Sequence, residues 1–126
     1  MGNRVSQTIG ANNYSATYAA TSNRIASVTG PTPKIFTFDA NGSIVSDTAN
    51  QFTYDARGRL KQATTAAGVS QYLVNTMGQR VKKSVSGIDT VFHYDASGRL
   101  ISETNAQGNV KLEYVYLNDI PLAVLK

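Results

Sequence analysis

Three aspartates recur at equivalent places in the sequence, and as carboxylates they could do chemistry. Asp39, Asp55 and Asp95 each stand three residues before a glycine. Glycosidases use two carboxyl groups at a fixed separation in one site. Here each aspartate belongs to its own turn, where its side chain accepts backbone amide hydrogen bonds and the glycine adopts a positive φ. We therefore predict no catalytic residue but a set of turn-forming residues: Asp39, Gly42, Asp55, Gly58, Asn75, Gly78, Asp95 and Gly98.

His93 is the only histidine and the next candidate for chemistry. A catalytic histidine needs a nucleophile and an orienting acid around it, and a metal site needs several ligands. His93 instead takes the same place in its repeat as Thr37 and Thr53, between two aromatic residues. We predict that it is a surface residue of a strand, and that the protein binds no metal and no cofactor.

Five of the six arginines stand just after the turn glycine or its equivalent: Arg4, Arg24, Arg59, Arg80 and Arg99. They could form a ladder whose stems pack on neighbouring strands and whose guanidinium groups pair with the turn carboxylates. They could also form a basic stripe that binds an acidic glycan or an anionic cargo. The sequence favours the ladder and leaves the stripe open.

The turn residues recur because the chain is built from repeats. "FTYDARGRL" from Phe52 to Leu60 returns as "FHYDASGRL" from Phe92 to Leu100. With the turn glycine or its equivalent as an anchor, related segments have anchors at positions 2, 22, 42, 58, 78, 98 and 120. Internal periods of this length indicate a repeat architecture. We predict one repeat array over residues 1–126.

The elements that position the turns are strands with one aromatic face. Ten of the eleven aromatic residues stand four or six positions before an anchor, and a separation of two puts both rings on one face of a strand. Each repeat is therefore predicted to contain a strand, a tight turn, a second strand and a softer turn such as "TAAGV", "VSGID" or "NAQGN". The fold class is all-β, with antiparallel hairpins forming a curved, open sheet. The predicted aromatic core comprises Phe36, Phe38, Phe52, Tyr54, Tyr72, Phe92, Tyr94, Tyr114 and Tyr116.

Composition excludes several classes of protein. The chain has 126 residues and no cysteine, so it has neither disulfides nor a zinc–cysteine site. Its net charge of +4 is dispersed along the chain, which does not indicate nucleic-acid binding. No apolar run is long enough for a membrane span, and the first residues do not resemble a signal peptide.

Tyr54 to Leu60 and Tyr94 to Leu100, spelling Tyr-Asp-x-x-Gly-Arg-Leu, resemble the YD repeat of the Rhs family. "MGNRV" and "MGQRV" resemble its Gly-x-Arg variant, and "EYVYLNDIPLAVLK" resembles the segment that leads into the bacterial Rhs-associated core. The family includes Rhs proteins, insecticidal Tc toxin components and teneurins. The resemblance implies a fragment of a hollow β-shell that encloses a C-terminal toxin in bacteria. The family's self-cleavage segment and a variable toxin domain are not found in the sequence.

The resemblance implies a non-enzymatic structural scaffold that encapsulates and delivers a polymorphic toxin. Its partners would be the rest of the shell and the toxin cargo, and its place would be secreted or on the cell surface, within a larger bacterial protein. The alternative is an extracellular module that binds carbohydrate through its aromatic rings. A curved sheet with open edges also predicts self-association, either through terminal strands or by burial of the aromatic face against a second copy of the chain.

Overall fold

The computed structural model describes residues 2–126, so Met1, the first residue of the predicted first repeat, lies outside the described residues. The described residues form strands and no helix. In chain order the strands are β1 (Ser6–Ile9), β2 (Asn12–Tyr18), β3 (Ile25–Thr29), β4 (Lys34–Ile35), β5 (Thr37–Phe38), β6 (Ile44–Ser46), β7 (Gln51–Tyr54), β8 (Leu60–Thr65), β9 (Gly68–Val74), β10 (Arg80–Val85), β11 (Ile88–Tyr94), β12 (Leu100–Thr104), β13 (Val110–Leu117) and β14 (Ile120–Leu125).

The chain divides into two compact units, one ending at Thr53 and the other starting at Tyr54. In the first unit, β1 to β4 pair in sequence order, and β5, β6 and β7 also pair in order. In the second unit, β8 to β14 pair in sequence order. Every described pairing joins antiparallel neighbours, so the predicted all-β fold of antiparallel hairpins is confirmed. The single array over residues 1–126 stays a prediction.

The aromatic strands bury one face partly and expose the other. In β11, Phe92 and Tyr94 are half-buried and His93 between them is exposed. The alternation repeats in β7, where Phe52 and Tyr54 flank the exposed Thr53. All nine predicted core rings are half-buried. Ala63 is the only hydrophobic side chain of the described residues that is buried, so the half-buried rings do not fill a closed interior.

The second turns of the repeats differ from the prediction. Val85 pairs with Ile88 and Thr65 pairs with Gly68, which leaves loops of two residues. Ser86 and Gly87 both have positive φ, as a type I′ hairpin requires. The turns predicted to be softer in "TAAGV" and "VSGID" are therefore two-residue loops. The loop at Ser86 and Gly87 has the primed geometry that matches the twist of its strands.

The predicted sixth repeat is also different. Its anchor was placed at Ile120, but Leu117 pairs with Ile120 across a two-residue loop of Asn118 and Asp119. Asn118 has a φ of 52° and supplies the left-handed conformation that a glycine would otherwise supply. The strands of this repeat were predicted correctly, but its turn is of the second, two-residue kind.

Candidate functional site

The best-defined polar structure in each repeat is the turn that follows the aromatic strand. At Asp55, the backbone amide donates to the Arg59 carbonyl at 2.8 Å, and the Gly58 amide donates to the Asp55 carbonyl at 2.9 Å. The Asp55 carboxylate accepts from the amides of Arg57 and Arg59, both at 2.9 Å. Gly58 has a φ of 75°, which a side chain would strain. The aspartate and the glycine thus close the loop together.

The same backbone bonds close the turns that begin at Asp39, Asn75 and Asp95. They also close a turn at Asn105, where the Gly108 amide donates to the Asn105 carbonyl at 3.1 Å. The sequence "NAQGN" was predicted to form a softer turn, and this was wrong. The signal was present, because an asparagine three residues before a glycine also begins the turn at Asn75.

Two arginines pair with the carboxylate of their own turn and reach a second turn. Arg59 Nε donates to Asp55 at 2.8 Å, and its Nη1 donates to the Asn75 carbonyl at 2.7 Å. Arg99 Nε donates to Asp95 at 2.7 Å, and its Nη1 donates to the Asn118 carbonyl. Each arginine therefore ties one turn to a later one, which supports the ladder rather than the basic stripe.

These contacts hold the turn carboxylates in their charged form. The pKa of Asp55 is lowered first by the hydrogen bond from the Arg59 backbone amide and then by the Arg59 side chain. The pKa of Asp95 is lowered in the same way by Arg99. Both groups are consequently acceptors, and neither is suited to donate a proton as a general acid at neutral pH.

The turn at Asn75 is a neutral version of the same arrangement. Asn75 Nδ2 donates to Gln79 Oε1 at 2.8 Å, so an amide pair stands where other repeats have an Asp–Arg pair. Arg80 comes one residue later in its repeat than Arg59 does, and its guanidinium lies 4.2 Å from the centre of the Tyr72 ring. The predicted single column of arginines therefore splits in two. Arg59 and Arg99, one residue after the anchor, pair with carboxylates, and Arg99 also lies 5.5 Å from the centre of the Tyr116 ring. Arg24 and Arg80, two residues after it, lie over the Phe38 and Tyr72 rings.

Tyrosine hydroxyls connect consecutive repeats. Tyr94 donates to the Arg80 carbonyl at 2.8 Å, Tyr116 to the Leu100 carbonyl at 2.7 Å, and Tyr18 to the Arg4 carbonyl at 2.7 Å. In each case the donor stands four residues before its anchor, and the acceptor stands two residues after the preceding anchor. We call this contact the tyrosine clamp. Sequence reasoning found the aromatic column but missed the hydroxyl's partner, because that partner is a backbone atom.

Two further hydrogen bonds involve titratable side chains on the strands, His93 and Tyr114. His93 is exposed, and its Nε2 lies 3.0 Å from Thr104 Oγ1, so it is a strand surface residue. The Tyr114 hydroxyl donates to Glu103 at 2.6 Å, and this hydrogen bond raises the pKa of Tyr114 to about 12.

Within residues 2–126 no three histidine, cysteine or carboxylate side chains are grouped so that they could hold a metal ion. Nor does this part of the chain contain a helix that is long and apolar enough to cross a membrane.

Residues 3–119 match the Teneurin YD-shell family. The chain belongs to this family. The resemblance drawn from the Tyr-Asp-x-x-Gly-Arg-Leu segments is thereby confirmed. No curated protein sequence matches the chain.

Solved structures agree with this assignment. A Photorhabdus luminescens Tc holotoxin pore carrying a TccC3 mutation is similar over 82% of this chain, with a TM-score of 0.65 and 15% identity. The crystal structure of TcdB2-TccC3 without its hypervariable C-terminal region is similar over 83%, with a TM-score of 0.64 and 16% identity. At such identities the likeness shows the fold. This chain spans 6% of the length of each of those chains.

Proposed function

We propose that this chain is a non-enzymatic segment of an Rhs-type shell, which encloses a toxin and is delivered outside the cell as part of a larger bacterial protein. The observation that carries the proposal is the linkage between repeats. Tyr94 bonds to the preceding repeat, and Arg59 and Arg99 bond to later turns. A wall that must continue from repeat to repeat needs such contacts.

The polar groups of the repeats are engaged in building the sheet. The carboxylates of Asp55 and Asp95 accept bonds from their own turn amides and arginines. Enzymes instead leave a nucleophile, an acid or a base within reach of a substrate in a pocket. The engagement of these carboxylates supports a structural role. The Tc toxin structures support a toxin as the cargo, since their chains have the same fold.

The test is protection of the cargo. The complete polypeptide encoded by the gene would be produced and treated with a broad protease. We expect the segment that follows the repeats to survive in the intact protein and to be cleaved when it is produced without them. Cleavage at equal rates in both forms would contradict the enclosure. A toxin and an immunity gene directly downstream would be the expected genetic context.

The carbohydrate-binding alternative makes a different prediction. Sugar rings stack on exposed aromatic faces, but Arg80 lies over the Tyr72 ring and Arg99 over the Tyr116 ring. We therefore expect no binding on a glycan array. Binding that is lost when Tyr72 is changed to alanine would favour the carbohydrate module over the shell.

A further inference from the structure

One repeat of the second unit lacks the tyrosine clamp. Val74 stands four residues before the Gly78 anchor, where Tyr94 and Tyr116 stand in the following repeats. The carbonyl that corresponds to the clamp acceptors Arg80 and Leu100 is that of Leu60, two residues after the Gly58 anchor. A valine has no hydroxyl to donate to it.

The clamp normally spans a place where strands of consecutive repeats separate. The pairing of β10 with β11 begins at Lys82 and Val91, so the register does not extend to Arg80 and Tyr94. The Tyr94 phenol crosses this space and bonds to the Arg80 carbonyl. In the same way, the pairing of β12 with β13 stops at Ser102, and the Tyr116 phenol reaches Leu100.

Between β8 and β9 the corresponding space is not filled. The pairing stops at Gln62 and Gln71. Beyond it lies an open cavity of about 320 Å³ whose lining includes Leu60, Tyr72 and Val74. Small-molecule sites have volumes of roughly 300–1,000 Å³. This cavity lies at the lower end of that range, so its volume suits a small ligand such as a single aromatic ring. Its walls are mostly apolar side chains, and Leu60 holds the repeat position of the clamp acceptors Arg80 and Leu100.

We propose that this cavity binds a phenol ring from outside the chain, the side chain of a tyrosine in a partner polypeptide. The equivalent spaces in neighbouring repeats are occupied by this same side chain, with its hydroxyl on the equivalent carbonyl. The cavity is open to solvent rather than enclosed, so a ring attached to a second backbone can enter it. The inference goes beyond the shell function, because it names a docking site within the wall.

The first test uses p-cresol, which is the tyrosine side chain, and toluene, which lacks the hydroxyl. Both would be titrated into the full chain while the amide chemical shifts of β8 and β9 are followed by NMR. We expect saturable shifts near Leu60 and Val74. One neutral hydrogen bond should make p-cresol bind about three- to tenfold more tightly than toluene. No saturable shift, or equal affinity for the two compounds, would overturn the proposal.

Cavity-filling variants locate the site. V74Y should supply the missing clamp, abolish p-cresol binding and raise the melting temperature, and V74F should abolish binding with a smaller rise. V69Y is the control, because Val69 lies on the same strand and is 41% exposed but does not line the cavity. This variant should bind p-cresol as the parent does. Unchanged binding in V74Y would show that the ring binds elsewhere and would refute the site.

Binding of a peptide tests whether the cavity accepts a tyrosine that belongs to a polypeptide. A short extended peptide with a central tyrosine should shift the same resonances as p-cresol, and its phenylalanine counterpart should bind more weakly by the same factor. V74Y should remove both effects. Binding of p-cresol without binding of the tyrosine peptide would overturn the assignment of a polypeptide partner.

Discussion

At the scale of single residues, the two aromatic columns differ in whether their rings carry a hydroxyl group. The column four residues before the anchor is mostly tyrosine, and the column six residues before it is mostly phenylalanine. Both sets of rings are half-buried, so burial does not explain the difference. The tyrosine clamp does explain it, because hydroxyls of the first column, on Tyr18, Tyr94 and Tyr116, donate to a carbonyl of the preceding repeat.

The clamp predicts a specific cost for Tyr94→Phe. The ring stays and the hydrogen bond to Arg80 is lost, which should lower the free energy of unfolding by about 0.5–1 kcal/mol. Tyr72→Phe is the control, because the contact described for Tyr72 is with its ring face rather than its hydroxyl. Urea unfolding of the two variants measures the difference. Equal stabilities would mean that the clamp contributes nothing net.

Tyr114 predicts the response of stability to alkali. Its pKa is raised to about 12 by the hydrogen bond to Glu103, compared with 10.0 for a free tyrosine. A raised folded-state pKa means that the stabilisation is fully present below pH 10 and is lost as the pH rises towards 12. Tyr114→Phe should therefore lose less stability than the parent between pH 10 and about pH 12. Parallel losses in both proteins over that interval, followed by circular dichroism, would argue against it.

At the scale of elements, the described pairings of five aromatic strands have an irregular register near the strand end: β2, β5, β9, β11 and β13. The register shifts between His93 and Tyr94 in β11, and between Val115 and Tyr116 in β13. Bulges of this kind add a residue to one strand and increase its twist. After β11 the next turn is held by the Asp95 carboxylate and the positive φ of Gly98. After β13 a two-residue loop with Asn118 at positive φ takes its place.

Gly58 tests the turn with little steric interference, because a Cβ added there would meet no atom within 4 Å outside its two chain neighbours. Gly58→Val should destabilise the protein by about 1 kcal/mol or more, since a β-branched residue is strained at a φ of 75°. Gly58→Asn should cost less, because asparagine tolerates this region. Melting temperatures that rank valine above asparagine would disprove the backbone explanation.

The Asp55–Arg59 pair can be exchanged for the amide pair seen at Asn75 and Gln79. Asp55→Asn and Arg59→Gln should each lower the free energy of unfolding. The double variant should lose less than the sum of the two single losses, because it restores a matched pair. The lowered pKa of Asp55 gives the pH window: its stabilisation is present above about pH 4, the unfolded value, and is lost as the pH falls through the lower folded value. The double variant should thus lose less stability between pH 4 and pH 2 than the parent. Strictly additive effects at pH 7 would count against the pairing.

The strands and their faces were predictable because the aromatic residues of a repeat stand two positions apart, which places both rings on one face of a strand. The anchors at Gly58, Gly78 and Gly98 likewise marked the turns. The division of the arginines was not predictable, because Arg80 stands one position later in its repeat than Arg59 and lies over the Tyr72 ring instead of pairing with a turn carboxylate. The two-residue loop at Asn118 was hidden as well, since an asparagine there takes the conformation usually marked by glycine.

At the scale of the whole molecule, stability comes from contacts between neighbouring strands. Strands pair with those next to them in sequence, and Ala63 is the only buried hydrophobic side chain among the described residues. Repeat arrays of this kind gain stability from each interface between repeats, so the end strands are the least supported. β14 is such a strand, because β13 is its only described partner.

β14 therefore predicts how the 126-residue chain behaves in solution. All of its residues are exposed, and Leu122, Val124 and Leu125 are each more than half exposed. An exposed apolar strand with free backbone groups pairs readily with another strand. We expect the chain to self-associate at tens of micromolar concentration, with the fraction of oligomer rising with concentration in multi-angle light scattering.

Leu122→Lys should shift this equilibrium towards the monomer, because a lysine on an edge strand opposes pairing with a second edge. Val115→Lys is the matched control: it adds the same charge at an exposed position, but on β13, which already has strands on both sides. If the edge causes association, Leu122→Lys dissociates the oligomer and Val115→Lys leaves it in place. If both variants remain associated, the contact lies on a face of the sheet. If the parent is a monomer at these concentrations, the exposed edge of β14 does not recruit a second chain.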